Sequence, residues 1–410
     1  MSMEEQTPTQ PRPTRPPKQE VSGGVYVYTW DEEQVQIVVQ RIREDSRHTP
    51  SAEIRIRGKT EGHIHNTRIN LLSTQARNQV ARHCAGRCTA GRDWDAIVEQ
   101  FAVMTLDHWR QGEPVINLGT VSPPPEPIYR LLPFLLEGET TLIYGDGGIG
   151  KSYVAAYLAS QIDQGIKVGR YSPIQGKVLY LDYETNREIA ARRFQAITRG
   201  FGFGEPSNVM YRFCFQPLAA DIAEIQKIVA EENIDCIVID SAGPACGGDP
   251  ESASSAINYF TALRSLRKTT LTIAHRSKSG SAGPFGSVYW VNYPRATYEL
   301  KKSQEVNDDT MHVALIHRKA NEGRLQEPVS FRFDFHKGAV TVTEELLEDV
   351  PGFIGELPIA EQLFQTLQEY GPQSARDLAS LTGLQLASIH VILSRDPRFK
   401  RAGNSKWDAV

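Results

Sequence analysis

The sequence predicts an α/β protein whose central part is a parallel β-sheet covered by helices on both faces. Between residues 128 and 342, short apolar segments alternate with helical stretches. Strands that are apolar along their whole length and are separated by helices are typical of a parallel sheet buried on both sides. A chain of 410 residues is also long enough for two to three domains with a large core.

Seven strands are predicted in this central region. The first four alternate with helices and carry the parallel sheet: TTLIYG (140–145), KVLYLDYE (177–184), DCIVIDS (235–241) and TLTIAH (270–275). The last three follow one another without helices, which predicts an antiparallel extension of the sheet. They are RATYEL (295–300), MHVALIHR (311–318) and VSFRFDF (329–335).

A proline-rich tail and a small domain precede the central region. Residues 1–22 hold five prolines among polar residues, which predicts a disordered tail. Residues 23–118 combine β-rich runs with helical stretches at about 73–87 and 93–110, and are predicted to form a small α+β domain whose role stays open. The linker SPPPEP (122–127) ends this domain, because proline continues neither a helix nor a central strand.

The C-terminal residues 357–410 are predicted to form a winged helix. Three helical stretches are followed by FKRAGNSKWDAV, which has the pattern of a short hairpin, and the second and third helices would form a helix-turn-helix. From Arg376 onward there are six Arg and Lys residues against three acidic ones. We expect this domain to contact duplex DNA, with docking to a protein as the alternative. The expected phosphate contacts are Arg395, Lys400, Arg401 and Lys406.

The composition excludes several classes of protein. With 40% apolar and 23% charged residues, the chain is neither collagen, nor a coiled coil, nor wholly disordered. No apolar run approaches the roughly 20 residues of a membrane span, and the polar N-terminus lacks the apolar core of a secretory signal. Five cysteines in a long chain argue against a disulfide framework, so we expect a cytoplasmic protein without membrane contact. The net charge of −4 means that any contact with nucleic acid must be local.

A glycine-rich motif predicts a phosphate-binding loop. Residues 145–152 fit the pattern G-x-x-x-x-G-K-[ST] between a predicted strand and a predicted helix. Glycines let successive backbone N–H groups turn toward phosphates, and the helix N-terminus adds its dipole. We expect Lys151 to contact the β- and γ-phosphates of ATP and Ser152 to bind Mg²⁺. The predicted ATP-binding residues are Gly145, Asp146, Gly147, Gly148, Ile149, Gly150, Lys151, Ser152 and Tyr153.

Two carboxylates follow predicted strands. Asp240 ends an apolar strand and is expected to support Mg²⁺ together with Ser152, with helix capping as the alternative. Ser241 comes next, so the glutamate that follows this aspartate in AAA+ machines is absent. Glu184 lies at the ligand-facing end of KVLYLDYE and is expected to orient and deprotonate the attacking water, with Asp182 alongside. The alternative is that Glu184 opens the next helix as a first-turn acid.

His275 ends the strand TLTIAH, where a polar side chain can sense the γ-phosphate and move the segment that follows. A packed or capping histidine is the alternative. The loop 276–294 then combines Arg276 and Lys278 with several aromatic residues. Basic groups neutralise phosphates and aromatic rings stack on bases, so this loop is a predicted contact for single-stranded DNA. For any one of its aromatic residues, packing in the core is the alternative; they are Phe285, Tyr289, Trp290 and Tyr293.

Together these motifs resemble the RecA-like, hexameric-helicase side of the P-loop ATPases, in particular the RepA/AAA_25 family related to DnaB-type replicative helicases. The resemblance covers about 128–335. It rests on GDGGIGKS, the strand end DYE with Arg192 and Arg193 one helix later, VIDS, AHRSK, FGS with Arg295, and HRKANEG. It implies a RecA-like P-loop core that binds ATP and Mg²⁺ and assembles as a homo-hexamer, with His275 as the sensor after the fourth strand.

The resemblance also implies that cations of one subunit reach the nucleotide of the next. Arg295 and the pair Arg318 and Lys319 match the family positions that do so. DnaB-type helicases often carry an arginine two residues after that lysine, and this chain has Asn321. The trans-acting residue therefore stays open among Arg295, Arg318 and Lys319, each of which has a surface cation as its alternative.

Three functions agree with these observations. The first is a ring-forming, DNA-dependent ATPase, a helicase or translocase in DNA replication, repair or mobile-element maintenance. Ring assembly is expected because the P-loop subunit supplies no obvious arginine finger of its own. The second is an ATP-switched DNA-binding, loading or regulatory factor that does not unwind DNA. The third is a nucleotide-binding regulator of the circadian-clock or sensor type, for which DNA is irrelevant.

Overall fold

The structure of the protein is a computed structural model, and it divides the chain into two compact units. The first unit comprises 1–124 and 220–233, and the second comprises 125–219 and 234–410. The described residues are 15–22, 24–45, 48–88, 91–111, 115–124, 126–202, 208–277, 283–403 and 405–410. Among the helices formed by these residues, none has the length and apolar character needed to cross a membrane.

The first unit contains a five-stranded antiparallel sheet with two helices packed against it. The strands pair in chain order, β1-β2-β3-β4-β5. The elements are β1 (Lys18–Ser22), β2 (Val25–Trp30), β3 (Val35–Glu44), β4 (Pro50–Gly58), β5 (Gly62–Asn70), α1 (Thr74–Ala85) and α2 (Trp94–Gln111). The two helices predicted at about 73–87 and 93–110 are confirmed, whereas the strand β5 was not predicted.

The core of this unit is formed by every second residue along the strands. In β2, Tyr26, Tyr28 and Trp30 are buried and the residues between them are not, because successive side chains of a strand point to opposite faces of the sheet. The hydroxyl of Thr105 on α2 donates a hydrogen bond of 2.9 Å to the hydroxyl of Tyr28. Cys84 of α1 is fully buried in the same core, which agrees with its being a reduced, structural residue.

The strand β1 corrects the predicted tail. It pairs antiparallel with β2 over all five of its residues, so its backbone groups are hydrogen-bonded. Lys18 of β1 also forms an ion pair of 2.7 Å with Asp31. The prediction of disorder over 1–22 is therefore wrong for β1, and residues 1–14 lie outside the described residues.

In the second unit, nine strands form one sheet in the order β10-β9-β11-β12-β8-β13-β14-β15-β16. The six from β10 to β13 are parallel, and β14, β15 and β16 continue the sheet with antiparallel pairing. The strands are β8 (Thr140–Gly145), β9 (Val178–Asp182), β10 (Met210–Phe213), β11 (Cys236–Asp240), β12 (Thr269–His275), β13 (Ala296–Ser303), β14 (Thr310–Ala320), β15 (Val329–His336) and β16 (Ala339–Glu345). The predicted α/β class with a mainly parallel sheet is confirmed.

Helices and short elements complete this part of the chain. A separate two-stranded hairpin, β6 with β7, precedes the sheet. The remaining elements are β6 (Tyr129–Leu131), β7 (Leu135–Leu136), α3 (Lys151–Gln164), α4 (Arg187–Gly200), α6 (Ala242–Ala245), α7 (Ala253–Ser265) and α8 (Tyr289–Asn292). The helix α5 (Leu218–Glu231) lies almost entirely in residues 220–233, which belong to the first unit. Among the described residues, 3₁₀ helices lie at Leu118–Thr120, Leu347–Asp349 and Pro351–Glu356.

One strand of the predicted antiparallel extension has a different orientation. β13 pairs parallel with β8, and only its other edge pairs antiparallel with β14. Two strands can be parallel neighbours only if the chain crosses back between them, and the segment 276–295 makes this crossing between β12 and β13. The extension instead gains β16, which runs past the predicted domain end at residue 342.

The helix α3 is held in the centre of this unit. Its residues from Val154 to Asp163 are all buried, which is expected of a helix with apolar residues on every side. Gly165 ends α3 in the left-handed conformation, with φ of 68°. Because α3 begins at Lys151, this packing fixes the position of the predicted phosphate loop that precedes it.

The C-terminal residues form three helices and a small sheet. The predicted helices and hairpin are present, and the additional short strand β17 pairs with β19. Ser374 and Asp377 cap the second helix through reciprocal side-chain and backbone hydrogen bonds. The elements are α9 (Ile359–Tyr370), β17 (Gln373–Ser374), α10 (Ala375–Thr382), α11 (Leu386–Arg395), β18 (Phe399–Arg401) and β19 (Lys406–Ala409).

Candidate active site

The predicted site residues of the parallel strands meet at one edge of the sheet. The register places Asp240 of β11 opposite Asp182 of β9, and His275 of β12 opposite Gly145 of β8. The carboxyl ends of four neighbouring strands therefore surround one cleft, of about 290 Å³. Its lining residues are Gly148, Gly150, Lys151, Ser152, Tyr153, Glu184, Arg193, Asp240, Ser241, Ile273 and His275.

Glycine is required at two positions of the loop between β8 and α3. Gly148 and Gly150 have φ of 74° and 87°, a region that side chains with a Cβ rarely adopt. A Cβ on Gly150 would also lie 2.9 Å from the Sδ atom of Met311. The loop ends at Lys151, the first residue of α3, so the free N–H groups of the first helical turn lie beside the cleft.

Lys151 is held inside this loop. Its ammonium donates hydrogen bonds to the carbonyl oxygens of Gly145 at 3.0 Å and Asp146 at 2.6 Å. Burial lowers the pKa of Lys151, while the carboxylates of Glu184 and Asp240 act in the opposite direction. The positive charge is thus fixed where phosphate oxygens would meet the loop.

Ser152 and Asp240, the predicted metal ligands, lie next to each other at the cleft. Asp240 is only 3% exposed and accepts hydrogen bonds from the hydroxyl of Tyr180, at 2.5 Å, and from the hydroxyl of Ser152. Burial raises the pKa of Asp240, and these hydrogen bonds oppose that rise. One hydroxyl and one carboxylate are hard oxygen ligands, and Mg²⁺ commonly takes its remaining ligands from phosphates and water. Across the described ranges, no cluster of three or more His, Cys, Asp and Glu residues offers a metal a fuller set of protein ligands.

Asp182 and Glu184 have different roles although they are two residues apart. Asp182 accepts hydrogen bonds from the backbone N–H groups of Glu184 and Thr185, both at 2.9 Å. The hydroxyls of Thr185 and Tyr211 also donate to it, at 2.5 and 3.1 Å. These donors occupy both oxygens of a buried carboxylate. Asp182 therefore shapes the turn that presents Glu184, and it does not stand alongside it as a second base.

Glu184 faces the cleft. The hydroxyl of Ser241, the residue directly after Asp240, donates a hydrogen bond to Glu184 Oε1. The following helix α4 does not use Glu184 at its start, since its N-cap is Asn186 and its first-turn acid is Glu188. The alternative that Glu184 serves to open this helix is therefore not supported, and its carboxylate stays available to a water molecule in the cleft.

His275 lies beside Glu184. Its side chain is 51% exposed, and its Nε2 atom is 4.0 Å from Glu184 Oε1. The packed histidine that was the alternative is thus not observed. The backbone N–H of Arg276, the next residue, donates to the carbonyl of Gly145 at 3.0 Å. The end of β12 is consequently tied to the beginning of the phosphate loop.

Arg193 also lines the cleft, although it was not among the site residues predicted from the sequence. Its guanidinium lies 5.1 Å from the ring centroid of Tyr153, and its Nε atom is buried without a hydrogen-bond partner in the described part of the chain. Arg193 is on the same face of α4 as the buried residues Ala190 and Ile197. A cation at this helical spacing from apolar residues could have indicated in the sequence that Arg193 faces inward. The chain therefore has an arginine of its own at the cleft, which corrects the expectation that it has no obvious arginine there.

The three cations predicted to act on a neighbouring subunit have different surroundings. The Lys319 ammonium donates to the carbonyls of Val291, Asn292 and Pro294, at 2.8, 2.8 and 2.6 Å, so all three of its donors are used within its own subunit. Arg318 pairs with Glu299 at 2.6 Å and with Glu356 at 2.8 Å. Arg295 forms a 3.4 Å ion pair with Glu139 at the surface. This geometry favours a structural role for Lys319. Arg295 and Arg318 are similarly exposed, at 44% and 40%, and Arg295 has the longer, weaker ion pair.

The described aromatic residues of 276–294 differ in burial: Trp290 lies in the core, Phe285 is exposed, and Tyr289 and Tyr293 line a cavity. Trp290 is buried, donates to the carbonyl of Pro250 at 2.9 Å and packs against Phe260, so it is a core residue. Phe285 is 39% exposed. Lys278 lies outside the described residues. Tyr289 and Tyr293 line a cavity of about 250 Å³ with Glu139, Thr140, Phe260, Arg264, Asn292 and Arg295.

Residues 112–281 match the family model AAA_25, described as an AAA domain. This segment contains the phosphate loop, Glu184, Asp240 and His275. The chain carries a P-loop ATPase domain. The match spans less than half of the 410 residues and agrees with the RecA-like ATPase core expected from the motifs.

A solved KaiC-like protein from the archaeon Pyrococcus horikoshii OT3 resembles part of the structure. The likeness has a TM-score of 0.39 and 15% sequence identity, and covers 53% of this chain and 99% of the other. A search among curated proteins found no match. A TM-score this low does not establish a shared overall architecture. The function is therefore inferred from the residues of the cleft.

Proposed function

We propose that the protein is a ring-forming, DNA-dependent ATPase that uses ATP hydrolysis to move along single-stranded DNA as a helicase or translocase. The observation that carries this proposal is the distance of 4.0 Å between His275 Nε2 and Glu184 Oε1. Glu184 is the residue placed to activate water, and His275 directly precedes the segment 276–294. Loss of the γ-phosphate therefore changes the surroundings of the residue from which this segment starts.

Hydrolysis proceeds by attack of a water molecule on the γ-phosphorus. Glu184 takes one proton from the water as the new P–O bond forms, and the bond to the β–γ bridging oxygen breaks to leave ADP and phosphate. Lys151 and Arg193 both line the cleft, and their positive charges would neutralise charge on the phosphate oxygens as the bond breaks. When bound, Mg²⁺ supplies further positive charge at these oxygens.

Contact with single-stranded DNA is proposed for the segment 276–294. Phe285 is exposed, and Tyr289 and Tyr293 stand beside Arg295 at a surface cavity. Aromatic rings next to a guanidinium group fit the bases and phosphates of a single strand, and here Tyr289 and Tyr293 are half-buried while Phe285 is exposed. The buried Trp290 takes no part in this contact.

Assembly as a homo-hexamer is proposed from the position of Arg295. Its backbone N–H donates to the carbonyl of Thr140, the first residue of β8, at 2.9 Å. The phosphate loop follows Gly145, the last residue of this strand, about 17 Å away at the usual rise per strand residue. Arg295 therefore reaches a nucleotide only from a second copy of the chain, as a trans-acting residue in a ring requires.

The test of the motor is the steady-state ATPase rate with and without a single-stranded oligonucleotide, with Lys151→Ala as the blank. We expect stimulation of about tenfold, because occupancy of 276–294 is linked through His275 to Glu184. A basal ATPase rate that is well above the Lys151→Ala blank and is unchanged by nucleic acid would exclude the DNA-coupled motor. It would favour the regulatory nucleotide-binding function.

A second function, an ATP-switched DNA-binding or loading factor, is favoured by one observation in the C-terminal residues. Arg395, Lys400 and Lys406 are exposed where a winged helix would contact duplex phosphates. Site-specific binding of duplex DNA without strand displacement, in the presence of ATP, would favour this factor over the motor.

A further inference from the structure

Glu299 is a buried carboxylate between two arginines. It lies on β13 and is 5% exposed. Its Oε1 atom is 3.0 Å from Nη1 of Arg276, and its Oε2 atom accepts a hydrogen bond of 2.8 Å from Nε of Arg318. A buried carboxylate is stable only when such partners compensate its charge, and without it the two guanidinium groups would repel each other.

One end of this arrangement is the nucleotide cleft. Arg276 follows His275 directly, and its backbone N–H is bonded to the carbonyl of Gly145, where the phosphate loop begins. Tyr144, the residue before this glycine, lies opposite Glu299 in the pairing of β8 with β13. A displacement at the end of β12 therefore moves the guanidinium that Glu299 holds.

The other end is the segment that leads into the C-terminal helices. Arg318 also donates from Nη2 to Oε2 of Glu356 at 2.8 Å, and Lys301 contacts the other oxygen of the same carboxylate. Burial raises the pKa of Glu356, but the two cations outweigh burial and hold that pKa below its usual value. Glu356 ends the 3₁₀ helix that begins at Pro351, and α9 begins three residues later.

We propose that Glu299 is a positioning residue that couples the nucleotide state of the cleft to the C-terminal residues 357–410, through the chain of ion pairs from Arg276 to Arg318 and Glu356. The proposal rests on the ATPase function above and adds a route by which ATP controls the C-terminal part. A ligand shifts a distant segment only through contacts that differ between its two states. These three consecutive pairs would be contacts of that kind, because adjacent pairs share Glu299 or Arg318, so a shift of Arg276 reaches Glu356 through both.

The test is amide hydrogen exchange of residues 359–395 in the full chain, with and without the slowly hydrolysed analogue ATPγS. We expect ATPγS to change the exchange rate in the wild-type protein by about fivefold or more. In Glu299→Gln this change should fall below about twofold, while ATPγS affinity stays within about threefold of wild type. Glu356→Gln, which breaks only the last link, should lose the response in the same way and serves if Glu299→Gln fails to fold.

The matched control is Asp334→Asn, which removes a 2.9 Å ion pair with Arg332 on β15, outside this chain of contacts. It should keep the full nucleotide response. The coupling is overturned if the wild-type protein binds ATPγS without a change in hydrogen exchange of residues 359–395. It is also overturned if folded Glu299→Gln and Glu356→Gln show the same exchange response as wild type. Neither result contradicts the proposed ATPase function. If the wild-type protein does not bind ATPγS, the ATPase function fails and the coupling fails with it.

Discussion

Replacing Glu184 by glutamine removes the base of the proposed hydrolysis with little change in shape. An amide cannot accept the proton of the attacking water, but its oxygen can still accept the hydrogen bond from Ser241. General-base catalysis is worth about 10²- to 10⁴-fold in rate. Since each tenfold corresponds to about 1.4 kcal/mol, the barrier should rise by about 3 to 5 kcal/mol.

ATP binding should persist in this variant, because the phosphate loop and the residues Ser152 and Asp240 are unchanged. The measurement is single-turnover hydrolysis of radiolabelled ATP, combined with ATP affinity from a fluorescent analogue. The matched control is Glu188→Gln, which removes an exposed carboxylate of α4 that pairs with Arg187 at 2.7 Å. Hydrolysis by Glu184→Gln at the rate of the control would refute the assignment of Glu184 as the base.

Three further predictions concern the cleft and the C-terminal part. Lys151→Ala should abolish measurable hydrolysis, because it removes the cation held by two loop carbonyls, and a coupled phosphate-release assay would show it. Arg193→Met should lower kcat by about tenfold or more, whereas the control Arg192→Met, at the exposed neighbouring position, should change kcat by less than about twofold. If the two variants have equal kcat values, Arg193 has no part in the mechanism. Deletion of 357–410 should weaken duplex binding in a fluorescence-anisotropy titration and leave the basal ATPase rate in place, and unchanged affinity would place the DNA contact elsewhere.

The strands and motifs that depend on consecutive residues were predictable. The phosphate loop is a contiguous pattern between a strand and a helix, so its residues needed no tertiary information. The carboxyl ends of parallel strands share one edge of the sheet, and this was enough to bring Glu184, Asp240 and His275 to the same cleft. The strand β1 was missed because its residues become a strand only by pairing with β2.

A parallel α/β core with a phosphate loop could be predicted from the sequence alone, since strands buried on both faces and a glycine-rich turn each have a recognisable pattern of consecutive residues. Which polar side chains are free to act became clear from the three-dimensional contacts. Asp182 is occupied by donors from its own turn and from Tyr211, and Lys319 is occupied by three carbonyls. Arg193 becomes part of the cleft because α4 packs one of its faces toward it. The physical reason is that a polar group's role depends on its partners in space, and residues far apart in the chain supply those partners.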